Sequence, residues 1–164
     1  MGKKQNKSKW NALECALLIM LAVCLLMGAA ALGRQDRLQQ KMIRLHVVAN
    51  SDSQRDQALK LQVRDKVLAF TETTMRAAAD RQEANRTLRA ALPTIQAMAE
   101  ATLRENGCED RVETRLEPVE FPLKTYSGFR LPAGEYLALR VLIGKAEGQN
   151  WWCVVYPPLC MTAA

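Results

Sequence analysis

Three sets of residues in this 164-residue chain have types and spacings that could do chemistry. The lone histidine, His46, stands five and six positions before Ser51 and Asp52, the elements of a Ser/His/Asp hydrolase. No glycine-flanked nucleophile elbow accompanies them, so the bland reading is a strand histidine followed by a polar turn that caps a helix. Cys153 and Cys160 flank Pro157-Pro158 and can be bridged only if the chain turns back to bring their Cα atoms within about 7 Å. Their six-residue gap is not that of a zinc knuckle, and His46 is far away in sequence, so no metal or other cofactor is expected. Trp151 and Trp152 need a large apolar surface and an acceptor for each indole N–H. They are either core or a recognition surface, and truncation of a fully buried one would cost about 3–5 kcal/mol. No phosphate-cradling glycine loop and no H-E-x-x-H sequence occurs. These residues read as a non-enzymatic domain.

The elements that position these residues begin after an apolar leader. Lys3, Lys4, Lys7 and Lys9 precede an uncharged apolar run from Ala16 to Leu32, with small residues at Gly28-Ala29-Ala30-Ala31. Residues 1–33 are therefore expected to be a signal peptide or an uncleaved membrane anchor. Either implies an exported remainder, and residues 34–41 read as a polar spacer or as the frayed end of the membrane segment. Beyond Gly33 the chain carries 19 basic and 16 acidic residues, interspersed, which argues against nucleic-acid binding.

Ile43, Leu45 and Val47 alternate with Arg44, His46 and Val48 as in a strand with one core face, and His46 is expected to be partly exposed on the other. Asn50-Ser51-Asp52-Ser53 closes that strand, and Ser or Asp here caps a helix from Gln54 to about Ala79. Its stripe is Leu59, Val63, Val67 and Phe70, widened by Leu61 and Leu68. A second helical stretch carries Leu88, Leu92, Ile95, Ala99 and Leu103; Pro93 either kinks it or opens a new helix, and Asn106-Gly107 stops it. Cys108 reads as a free thiol. Strands are expected at 112–117, with Pro118 and Pro122 restricting that strand to an edge or an irregular extension around Phe121, and at 135–143 and 150–156. Lys124 to Gly134 reads as a loop, and the last two strands as an antiparallel hairpin. The order β-α-α-β-β-β predicts an α+β domain over 42–164, two layers with helices on one face of a mostly antiparallel sheet.

The motifs Ile43-Arg44-Leu45-His46-Val47-Val48-Ala49-Asn50-Ser51-Asp52-Ser53, Leu131-Pro132-Ala133-Gly134-Glu135-Tyr136, Gly148-Gln149-Asn150-Trp151-Trp152-Cys153 and Pro157-Pro158-Leu159-Cys160 resemble the stage II sporulation protein R family. The resemblance covers residues 42–160 and departs at Ala146, where another glycine is expected. It implies a signalling protein made in the forespore and exported to the intermembrane space. There it would activate a membrane-embedded aspartic protease that processes the sigma-E precursor in the mother cell. Asn50, Ser51, Asp52, Asn150, Trp151 and Trp152 are the expected partner-binding residues. The alternatives are an extracytoplasmic hydrolase using His46 with Ser51 or Asp52, and an envelope scaffold that does not signal.

Overall fold

The computed structural model describes the backbone of residues 4–126 and 129–158, and their side chains except at 4–11, 31–32, 34–38 and 129. Two compact units divide after Leu38. The first is most of helix α1 (Lys4–Gln39), whose Ala12–Ala30 segment is long and apolar enough to cross a membrane. The helix continues through residues expected to be a spacer, because Arg34-Gln35-Asp36-Arg37-Leu38-Gln39 contains no helix breaker.

The second unit, Gln39–Ala164, holds strand β1 (Ile43–Val48), helices α2 (Gln54–Met75) and α3 (Arg81–Glu105), and strands β2 (Val112–Phe121), β3 (Lys124–Tyr126), β4 (Phe129–Leu131), β5 (Gly134–Ile143) and β6 (Asn150–Tyr156). Ser53 caps α2 by accepting the Asp56 N–H. Asp80 caps α3 reciprocally with Glu83: Glu83 N–H donates to Asp80, and Ala79 N–H donates to the Glu83 carboxylate. Helix α2 stops at Met75, short of Ala79, because the α3 cap takes up residues 79–83. Pro93 lies inside an unbroken α3, on its exposed side, and Arg89, whose carbonyl its ring leaves unbonded, is exposed as well. Leu61, expected in the stripe of α2, is 38 % exposed.

The α+β architecture expected from the sequence is present, with a four-stranded sheet in the order β2-β5-β1-β6. Two of its three pairings are antiparallel, and β1 runs parallel to β5. Ile43, Leu45, Val47, Leu139, Val141, Cys153 and Val155 pack on the helix side with Val63, Val67, Leu88, Ile95 and Leu103. Strand β2 is an edge, as Pro118 requires.

Two expectations are overturned. Strands β5 and β6 do not form a hairpin; β1 lies between them and pairs with both. The chain from Gly144 to Gln149 must therefore step across the end of β1, which a two-residue turn cannot do. Residues 124–134 are not a plain loop, since β3 and β4 form a separate two-stranded sheet. In the crossover Ala146 has φ 55°, the left-handed conformation that explains why glycine is expected there.

Candidate functional site

The crossover brings together the two motifs that stood about a hundred residues apart in the sequence. Main-chain bonds run from Gly148 N–H to Ala49 O at 2.9 Å and from Glu147 N–H to Asn50 O at 3.3 Å. Side chains complete the clamp. Asn50 Oδ1 accepts the Lys145 N–H at 2.9 Å, and Asp52 Oδ1 accepts the Gln149 N–H at 2.8 Å. Asn50 Nδ2 and Ser51 Oγ both donate to Asp56 Oδ2, at 3.0 and 2.6 Å. These donors, Ser51 foremost, hold the Asp56 carboxyl below its usual pKa. Gln57 donates to Ser51 O, and the buried Lys60 ammonium donates to Gln149 O at 3.0 Å. Burial lowers the Lys60 pKa, with Arg64 adding to the effect.

Of the expected binding residues, Asn50, Ser51 and Asp52 thus spend their polar atoms on this clamp. Asp52 and Asn150 remain exposed, while Trp151 and Trp152 are half-buried on opposite faces of β6. The full burial on which the large truncation cost was conditioned is not met. Trp151 packs against the helix-side core under the Arg64 guanidinium, 4.2 Å from its ring centre, and its indole N–H has no partner. Cys153 is disulfide-bonded and Cys108 is free; Cys160, with which the sequence left a bridge open, falls outside the described residues.

The opposite face of the sheet carries a second cluster that strand periodicity alone does not reveal. His46 is 6 % exposed, not partly exposed as expected, because Trp152 stacks on it with ring centres 4.2 Å apart and planes 5° apart. Its Nε2 lies 2.6 Å from Asn150 Oδ1 and donates to it, which leaves Nδ1 as a buried acceptor with no partner. Ser51 is engaged by Asp56 and Asp52 by Gln149, so His46 bonds to neither. Beside it Arg44 is wholly buried between Phe121, 3.8 Å from the ring centre, and Tyr136, 4.8 Å away. Arg44 Nη2 donates to Tyr126 Oη at 2.7 Å. The sequence signal for this cluster was faint: aromatic residues at 121, 126 and 136, each with a proline or glycine within two positions.

Desolvation lowers the pKa of His46, and the nearby Arg140 charge lowers it further against the opposing bond to Asn150. Below about pH 6.5 the unfolded chain takes up a proton at His46 that the folded chain resists. Stability contributed by neutral His46 is therefore complete above that pH and is lost as pH falls through the lowered folded-state value. Urea unfolding from about pH 8 to 5 is expected to show this decline, and His46→Gln to flatten it. Equal slopes in the two proteins would show that His46 does not govern the acid side.

Residues 39–164, the same bounds as the second compact unit, match the family model for stage II sporulation protein R. The chain belongs to that family. It is 39 % identical over 123 residues to the stage II sporulation protein R of Bacillus subtilis (strain 168), an alignment covering 75 % of this chain and 55 % of that protein. The chain thus spans about half the length of the curated relative it matches. No solved structure matches it. Membership of the stage II sporulation protein R family places the chain in sporulation, and its apolar helix is compatible with a signal or a membrane anchor.

Proposed function

We propose that this chain is an intercompartmental sporulation signal, exported across the forespore membrane to activate the membrane aspartic protease that processes the sigma-E precursor in the mother cell. The supporting observation is a span-length apolar helix, Ala12–Ala30, leading directly into a domain of the sporulation family. In this reading the protein acts as a ligand, not as an enzyme. It raises protease activity by binding the active state of the protease better than the inactive one, which shifts the population between them. The clamp at the end of the sheet suits such a role. Its internal bonds fix Asp52, Asn150 and the half-exposed Trp152 before any partner arrives, so little ordering entropy is lost on contact.

The test is reconstitution in a host that does not sporulate. Precursor sigma factor and the matching protease are co-expressed with the full chain, or with a chain lacking residues 1–33. Precursor cleavage is expected only with the exportable chain. A folded, exported chain that leaves the precursor intact would overturn the proposal.

A further inference from the structure

Arg44 is a wholly buried guanidinium whose Nε and Nη1 have no hydrogen-bond partner. None of the ion pairs among the described residues includes it. A charge buried in this way normally holds a carboxylate, because desolvation is otherwise uncompensated. The register offers one carboxylate: Glu117 stands opposite Ala138, and Ala138 opposite Arg44. Glu117 is instead taken by Arg140 at 2.7 Å. What Arg44 has is a phenol, Tyr126 Oη, on its Nη2. Nη2 belongs to both two-point edges of a guanidinium, the one shared with Nε and the one shared with Nη1. While Tyr126 sits there, neither edge is fully open to a carboxylate; once it leaves, both are. Tyr126 lies on β3, which forms a two-stranded sheet with β4 apart from the main sheet. Phe121 and Tyr136 wall the guanidinium with ring faces, and Trp152 borders Phe121 at 4.6 Å.

We infer that Arg44 is a concealed receptor for a carboxylate side chain on a partner protein segment, which displaces Tyr126 and docks on the guanidinium between Phe121 and Tyr136. Tyr126 Oη is a neutral stand-in for that carboxylate. Charge complementarity selects the ligand class, since every donor here is cationic and the opposing acceptor is uncharged. The aromatic walls select a peptide over a free anion, because they offer contact area to the residues on either side of the acid. The inference does not depend on which protein the partner is.

The experiment uses the full chain in detergent micelles with nitrogen-15-labelled arginine, and follows the Nε–H resonance that disappears in Arg44→Met. Three probes are titrated to their solubility limits: a blocked Ala-Glu-Ala peptide, its Ala-Gln-Ala counterpart, and acetate. The glutamyl peptide is expected to shift the Arg44 resonance saturably, several-fold more tightly in Tyr126→Phe, where the competing hydroxyl is gone. The glutaminyl peptide is expected to leave it unmoved. No shift with the glutamyl peptide in Tyr126→Phe, or an equal shift with the glutaminyl one, would overturn the receptor. Acetate binding as tightly as the peptide would overturn its assignment to a protein segment. None of these readings involves the protease, so this inference and the proposed signalling role can fail separately.

Discussion

Gly148→Ala is expected to destabilise the domain by about 2–3 kcal/mol, a large effect for the addition of one methyl group. A Cβ built on Gly148 would lie 2.3 Å from Ser51 O, 2.6 Å from Ser51 C and 3.0 Å from Ala49 Cβ. The two closest atoms are backbone and have no rotamer by which to withdraw. The crossover can relieve the clash only by lifting off the end of β1. Doing so lengthens the Gly148–Ala49 bond and pulls Gln149 away from both Asp52 and Lys60. The last of these leaves a buried ammonium short of an acceptor. Gly107→Ala is the control. Its φ of 68° strains an alanine, but the nearest atom to the new Cβ is the far end of the Arg55 side chain at 3.9 Å, so a loss of about 1 kcal/mol is expected. Urea unfolding of both variants checks this. A Gly148→Ala protein no less stable than Gly107→Ala would mean that the crossover is not clamped tightly onto the turn.

The same crossover marks where the sequence was legible and where it was not. Features set by a few neighbouring residues could be read directly: the alternation in β1, the cap before Gln54, the Asn106-Gly107 stop and the edge position of β2. Which strands pair is decided by residues far apart, and period-2 alternation in β5 and β6 fits a hairpin as well as a strand inserted between them. The length of the 144–149 connection was the one local sign against a tight hairpin. The burial of Arg44 and His46 was illegible for a related reason. Their alternation with Ile43, Leu45 and Val47 correctly gives the face on which they lie. What covers that face comes from Phe121, Tyr126, Tyr136 and Trp152, 75 or more positions further along the chain. The candidate binding motifs were legible as motifs, but not as two halves of one clamp. That follows from bonds made by Asp56, Gln57, Lys60 and Lys145; the first three lie in a stretch, Asp56-Gln57-Ala58-Leu59-Lys60, that also resembles the family, but nothing in their spacing shows that they reach the crossover.

Arg44→Ala and Arg44→Met are expected to separate sharply in stability, and the difference tests what the buried guanidinium is for. Alanine empties the space of a large, fully buried side chain between Phe121 and Tyr136, and is expected to cost about 3–5 kcal/mol through the cavity it leaves. Methionine keeps most of the volume and its sulfur suits aromatic neighbours. It loses the stacking of the cation on two rings, worth about 1–2 kcal/mol when desolvated. It also removes a buried charge with two unsatisfied nitrogens, a change that is often neutral or stabilising by about 1–4 kcal/mol. The second effect is at least as large as the first, so Arg44→Met is expected to unfold within about 1 kcal/mol of the parent or above it. Methionine costing as much as alanine would show that the ring contacts and the bond to Tyr126 make the cation a net structural asset. A stable Arg44→Met protein that no longer triggers precursor cleavage would mean the charge is kept against the interest of folding. That outcome would point to a contact outside the chain as the reason the charge is kept, and the unbonded Nε and Nη1 of Arg44 are where that contact would be made.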